Sequence, residues 1–358
     1  MIKVKENVVS RRILFLDPLF NIVYEHKIPP TPENFEYIIQ VNFNNKMLRG
    51  RYKILISNGK KLWKNVKEFD FLDGEPLSKA FKLKYSIEIK NPNDNTEIYD
   101  LKVLLSLPLL IPSFQKFEGL KPNFKDIKIT EDAFDGNKWL VKHFRKIAPK
   151  SMVKLEYETI VSVRGITYQI QDITKEEMVY RSERYKRYIL PEHHIESNAT
   201  AIKSIAKLIW DKSTSSLDFI KNVKEWIQTN IKYRPQEKEM GALYAINNRI
   251  GDCTEYAAVF VALCRAVNVP ARLIAGFLKS KKWNRHAWAE VYIKNKWIQV
   301  DPSSKKKEFI PNITPNRIAM IRGNWMNSRL ANETFATFRI PKKAHKPIFK
   351  IKWEINDI

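Results

Sequence analysis

Gly251-Asp252-Cys253-Thr254-Glu255-Tyr256 opens a run that stays almost wholly apolar to Ala266, and His286-Ala287-Trp288 and Val300-Asp301-Pro302 follow it in order. The run predicts a buried helix over 253–266, with Pro270 closing the region behind it. Asp252 stands where an N-cap belongs and Glu255 three residues later, a capping box with Asp in place of Ser or Thr. Cys253 then falls in the first helical turn, at the positive end of the helix dipole. Strands are expected over 272–278, 287–293 and 297–300, the last two joined by a turn at Lys294-Asn295.

A two-residue turn there sets the register. Asp301 comes opposite Trp288, one diagonal step from His286 on the same face, at roughly 7–8 Å between backbones. Asp301 can then orient the imidazole and leave its other ring nitrogen to the sulfur, the relation of orienter, base and nucleophile. A free thiol titrates near about 8.5, and a helix N-terminus together with an imidazolium lowers that by several units. Taken one at a time these residues are ordinary. A lone Cys in an apolar helix is packing more often than chemistry, as expected for Cys264, and Asp-Pro commonly ends a strand. The conjunction carries the reading.

At this conjunction the chain resembles the transglutaminase-like superfamily, microbial relatives of transglutaminases within the papain-like cysteine-enzyme fold. The residues that carry the resemblance are Ile231-Lys232-Tyr233, Arg249-Ile250-Gly251-Asp252-Cys253-Thr254-Glu255, Leu263-Cys264-Arg265-Ala266-Val267-Asn268-Val269-Pro270-Ala271-Arg272, Gly276-Phe277, His286-Ala287-Trp288-Ala289-Glu290-Val291-Tyr292 and Trp297-Ile298-Gln299-Val300-Asp301-Pro302. The resemblance implies an α+β fold: a helix bearing the nucleophilic Cys packed on an antiparallel sheet, preceded by β-sandwich-like structure. It implies Cys253 as nucleophile, His286 as general base and later acid, and Asp301 as the residue that orients the ring. The implied activity is a cysteine hydrolase or acyltransferase, foremost a protease or amidase acting on peptide or protein amides through a thioester. Backbone N–H groups at the start of the Cys253 helix are candidate oxyanion donors, and Tyr233, Gln236 and Trp288 are candidate oxyanion or cleft contributors. Cross-linking transglutaminases have an aromatic residue directly after the nucleophile where this chain has Thr254, so glutamine transamidation is the alternative. A non-catalytic binding module is another, and retention of all three residues argues against it. The usual Gly-Ile-Pro-Ala-Arg reads Asn268-Val269-Pro270-Ala271-Arg272 here, and Asn replaces Gly well at a left-handed position.

Composition bounds the rest. The chain has 358 residues, 44% of them hydrophobic and 12% aromatic, enough for packed cores and for two or three domains. A formal net charge of +24 invites a nucleic-acid reading. The surplus is spread along the chain, however, and its longest basic run is Lys305-Lys306-Lys307. Nucleic acid is therefore not expected as a partner, Arg49-Gly50-Arg51-Tyr52-Lys53 being the one weak hint of a stacking surface. The N-terminal residues lack the apolar core of a secretory signal, and no stretch approaches the roughly 20 apolar residues of a membrane span, which gives a cytoplasmic expectation with no membrane contact. Cys253 and Cys264, on one helix, lie about 16 Å apart, beyond disulfide reach. Neither belongs to a CxxC pair, and His193-His194 has no partner pattern for zinc, so no metal and no cofactor are expected.

Alternating runs over 37–41, 52–56, 85–89 and 155–161, with turn signals at Asn91-Pro92-Asn93-Asp94 and Asp135-Gly136-Asn137, make the front half antiparallel β-structure. Residues 103–111 read as one buried strand. Helical periodicity begins at Ile202, Ile205, Ala206 and Ile209, and a second helix over 217–229 buries Phe219, Ile220, Val223, Trp226 and Ile227. The expected parts are 1–75, β-rich; 76–190, β-sandwich-like; 199–302, the core; and 303–358, a C-terminal β extension with strands at Phe335-Ala336-Thr337-Phe338 and Ile348-Phe349-Lys350-Ile351, the β-rich N-terminal half being the candidate surface for a protein partner.

Overall fold

A computed structural model describes only the strands of residues 1–77, and beyond them all residues except 113, 133–134, 168–171, 180–182, 295, 305–311 and 324–333. The elements run β1 (Ile2–Val4), β2 (Arg11–Leu16), β3 (Ile22–Ile28), β4 (Tyr37–Ile39), β5 (Gly50–Ser57), β6 (Trp63–Phe71), β7 (Ser78–Lys90), β8 (Ile98–Ser106), β9 (Gln115–Pro122), β10 (Lys128–Glu131), β11 (Lys138–Ile147), β12 (Met152–Arg164) and β13 (Ile166–Thr167). Then come α1 (Thr200–Lys212), α2 (Ser216–Asn230), β14 (Lys232–Tyr233), α3 (Ala242–Asn248), β15 (Ile250–Gly251), α4 (Cys253–Ala266), β16 (Ala271–Lys279), β17 (Trp283–Ile293), β18 (Lys296–Val300), β19 (Asn312–Ile313), β20 (Arg317–Arg322), β21 (Thr334–Arg339) and β22 (Ile348–Asp357). The fold is α+β.

Two compact units divide the chain. The first holds Met1–Lys79, Arg164–Gln169 and Asn312–Pro315. Within it β3-β2-β5-β6 form an antiparallel sheet, and β1–β4 and β13–β19 form two-stranded ladders.

The second unit contains two four-stranded sheets, β10-β11-β8-β21 and β22-β7-β12-β9, and the helical core with its own sheet. The front sheets face each other because alternate residues of each strand are apolar. Phe81, Leu83, Tyr85, Ile87 and Ile89 of β7 are fully buried, as are Leu101, Val103 and Leu105 of β8. Polar bonds cross the gap: Tyr157 donates to the Ser106 carbonyl at 2.6 Å, and Tyr85 meets Thr334 at 2.9 Å. The strand expected over 103–111 ends at Ser106 instead, two residues before Pro108, which has no N–H for a ladder.

The core sheet is β18-β17-β16-β20, antiparallel throughout. Helix α1 buries Ile202, Ala206 and Ile209, and α2 buries Phe219, Ile220, Val223 and Ile227. Trp226, expected on that buried face, is only half-buried, with the Arg249 guanidinium 5.6 Å over its ring. Helix α4 runs over 253–266 as expected. Behind it Asn268 takes a φ of +61°, the left-handed position expected of it.

Strand β20 would be a bare sheet edge, which proteins cover or pair. Here sandwich residues cover it. Gln115 donates to the Ala319 carbonyl at 2.7 Å and accepts from the Ala319 N–H at 2.8 Å. Asn137 does the same for Arg322, at 2.7 and 2.8 Å. On the opposite side β16 comes so near that a Cβ at Gly276 would sit 2.0 Å from the Ile318 carbonyl oxygen, so only glycine fits.

Candidate active site

Local chemistry presents Cys253. Helix α3 ends at Arg249 in the left-handed region, φ +58°, which turns the chain into β15. There the chain pairs in parallel with β14, Tyr233 opposite Gly251. A Cβ at Gly251 would lie 2.5 Å from the Glu255 Cβ, so glycine lets the first turn of α4 close against the strand. Asp252 caps α4, accepting from the Thr254 N–H at 2.9 Å and, through its other oxygen, from the Gln236 N–H at 3.1 Å. Glu255 returns the bond, accepting from the N–H groups of Asp252 at 3.0 Å and Met240 at 2.9 Å. Its carboxylate is fully buried and engaged in capping. The Cys253 side chain keeps partial exposure; Cys264, about three turns on, is fully buried, and burial pushes its thiol far up.

The β17–β18 hairpin delivers the other two residues in the register the turn length requires: Ala289 pairs with Val300 and Ile293 with Lys296. Lys294 takes a φ of +42°, and Asn295 lies outside the described residues. His286 Nε2 meets Asp301 Oδ2 at 2.8 Å. That leaves Nδ1 for the sulfur, and the ring has Cys253 as its second hydrogen-bond partner. Oδ1 of Asp301 accepts from the Ser303 N–H at 3.1 Å and hydroxyl at 2.8 Å. From α2, Gln228 donates to the carbonyls of Pro302 and Ser304, both at 2.8 Å, and pins the loop.

Burial pulls the His286 pKa down, but the hydrogen bonds to Asp301 and Cys253 outweigh it and lift the group to about 9. Burial likewise pushes Asp301 up, and the His286 hydrogen bond, then the charges of His286 and Arg317, hold its carboxyl well below the usual range. A folded value above the ordinary one means the imidazolium persists below about pH 9 and is lost as pH rises through it. An NMR titration of His286 is expected to place its midpoint near 9 and to show it falling toward the free-imidazole value of about 6.5 in Asp301→Asn. A parent midpoint at the ordinary value removes the electrostatic basis of the site.

The remaining candidates separate. The Tyr233 ring lies 5.6 Å from that of Tyr256, which is anchored by its hydroxyl to the Ile231 carbonyl. The Tyr233 hydroxyl reaches both the side chain and the backbone N–H of Cys253; burial first, then the neighbouring Cys253, raises its phenol. Gln236 uses its side-chain amide on the Arg234 carbonyl at 2.8 Å. Trp288 is fully buried beneath His286, ring centroids 6.1 Å apart and nearly parallel, and its N–H donates to Gln299 at 2.9 Å. Two groups at the site carried no signal in the sequence reading. Lys224 of α2 faces Asp301 half-buried, and Arg317 of β20 lies against the same carboxylate.

Residues 203–302 match the family described as the transglutaminase-like superfamily, and this segment is a transglutaminase-like core. A candidate cysteine protease from Cytophaga hutchinsonii shares the fold, with a TM-score of 0.57 at 17% identity, over 78% of this chain and 91% of that one. The periplasmic domain of TgpA from Pseudomonas aeruginosa aligns with a TM-score of only 0.32 at 13% identity, over 63% of this chain and 88% of that one. No curated protein matches the chain. At the level of the superfamily the core is that of a cysteine enzyme. Among the described residues, no helix is long and apolar enough to cross a membrane.

Proposed function

We propose that the chain is a cysteine-dependent amide hydrolase acting on peptides or proteins, in a cytoplasmic setting that suits its two free thiols. The observation that carries the reading is the His286 ring held between Asp301 and Cys253. In this reading the Cys253 thiolate attacks the amide carbonyl, and the carbon–nitrogen bond breaks as His286 gives its proton to the leaving amine. The product is a thioester. Water then attacks, His286 takes its proton, the carbon–sulfur bond breaks, and the carboxylate leaves with the thiolate restored. The tetrahedral oxyanion is met by the Cys253 N–H and the Tyr233 hydroxyl, which already lie together.

The test incubates parent and Cys253→Ala with denatured casein and with casein plus a fluorescent alkylamine. The expected result is new peptide N-termini that require Cys253. Amine incorporation without cleavage moves the reading to transamidation, and neither product sinks the enzymatic reading. Tyr233→Phe is expected to lower kcat/KM by about 10²–10³-fold, the effect of losing one oxyanion donor, while leaving Cys253 alkylation by iodoacetamide within a few-fold of parent. Equal losses in both assays would make Tyr233 a packing residue.

A further inference from the structure

The Asp301 carboxylate is nearly buried, and its Oδ2 has two neighbours. One is His286 Nε2 at 2.8 Å; the other is Arg317 Nη2 at 3.4 Å. Arg317 is 6% exposed and comes from β20, outside the segment 203–302 that matches the superfamily. Its guanidinium sits 5.1 Å over the Trp288 ring, the same ring on which His286 stacks. Gln299 fixes that ring through its N–H, so one immobilised indole supports both the base and the arginine. Ser303 holds Oδ1, and with Arg317 on Oδ2 both carboxylate oxygens are fixed.

A catalytic cycle imposes a demand that His286 alone cannot meet. Whenever the imidazolium passes its proton on, a buried carboxylate paired only with that ring would lose its counter-charge, which is strongly unfavourable in a nearly dry site. The ring would then resist giving the proton up. A guanidinium stays charged at every working pH. Lys224, the other cation facing Asp301, is displaced toward neutrality by burial and stands beside Glu225 on its own helix, so it is the weaker guarantor. We propose that Arg317 is a positioning residue of this site, pinning Asp301 and keeping a counter-charge beside it while His286 releases its proton. The inference deepens the proposed function and rests on the same Cys253–His286 pair.

The test is the pH profile of Cys253 alkylation by iodoacetamide, in a Cys264→Ser background, for parent, Arg317→Gln and Arg317→Lys. It needs no substrate. Removing a positive charge a few ångströms from the ring favours the imidazolium, so the alkaline step of the profile is expected to rise by about one pH unit in Arg317→Gln. Arg317→Lys, which keeps the charge, is expected to hold the step within about a third of a unit. A folded Arg317→Gln with the parent's alkaline step overturns the proposal. So does a shift in Arg317→Lys as large as a full unit, the decisive arm should the Gln variant fail to fold. A role confined to packing lowers the melting temperature and moves neither step. A parent profile with a single step near 8.5, unaltered by His286→Ala, instead rejects the proposed function itself.

Discussion

At pH 6, in the Cys264→Ser background, His286→Ala is expected to slow iodoacetamide alkylation of Cys253 by about 10²-fold. The size follows from ionisation. An ordinary thiol titrating near 8.5 is only about 0.3% thiolate at pH 6, so a thiol kept ionised by an imidazolium has up to a few hundred-fold to lose with its partner. The imidazolium is present at that pH, since Asp301 and Cys253 lift His286 to about 9 against the effect of burial. Helix α4 adds its dipole in parent and variant alike, and so limits the loss. Equal rates in the two proteins at pH 6 would mean that the ring does not govern the sulfur.

Asp135→Ala is expected to destabilise the second unit by about 3–5 kcal/mol, the range for removing one member of a buried ion pair. Asp135 lies between β10 and β11 in sequence yet is 5% exposed, accepting from Arg272 at 2.9 Å and from the Tyr188 hydroxyl at 2.8 Å. Its Oδ2 packs so close to Gly323 that a Cβ there would sit 2.0 Å away. Arg272 and Arg322 also share the fully buried Glu290, at 2.7 and 3.0 Å. Without Asp135 two guanidiniums would lean on one carboxylate, and Arg272, stacked 3.9 Å over Trp297, has no route to water. Urea unfolding of the two proteins gives the difference, read at equal m-values. A loss below about 1 kcal/mol would show that Glu290 alone suffices for both arginines.

The parts of the site that the sequence disclosed are those governed by near neighbours. The Asp252–Glu255 capping box is a four-residue event, and it places Cys253 without help from the rest of the fold. The Asp301–His286 approach follows from the length of one turn, because a strand's period of two leaves no other face for Asp301. Arg317 was beyond such reasoning. Its strand, Arg-Ile-Ala-Met-Ile-Arg, has no capping or turn signature of its own, and it joins β16 across some forty residues. Asp135 was read as part of a turn signal and is one, yet its side chain answers an arginine far along the chain. The same holds for charge. Arg272, Arg322 and Arg317 are buried against carboxylates, pairings that the formal charge of +24 does not reveal.

The last three strands part company: β20 enters the core sheet, β21 pairs with β8, and β22 pairs with β7. On the ribosome, β7 and β8 emerge long before the strands that complete their sheets, and Cys253 emerges before the arginine that backs its partner. Every nascent chain therefore passes through a stage with two open sheet edges and an unfinished site, a topology that folds slowly and exposes sticky edges meanwhile. Translation order thus makes Arg317 a late arrival: Cys253, His286 and Asp301 are all synthesised before the strand that carries it.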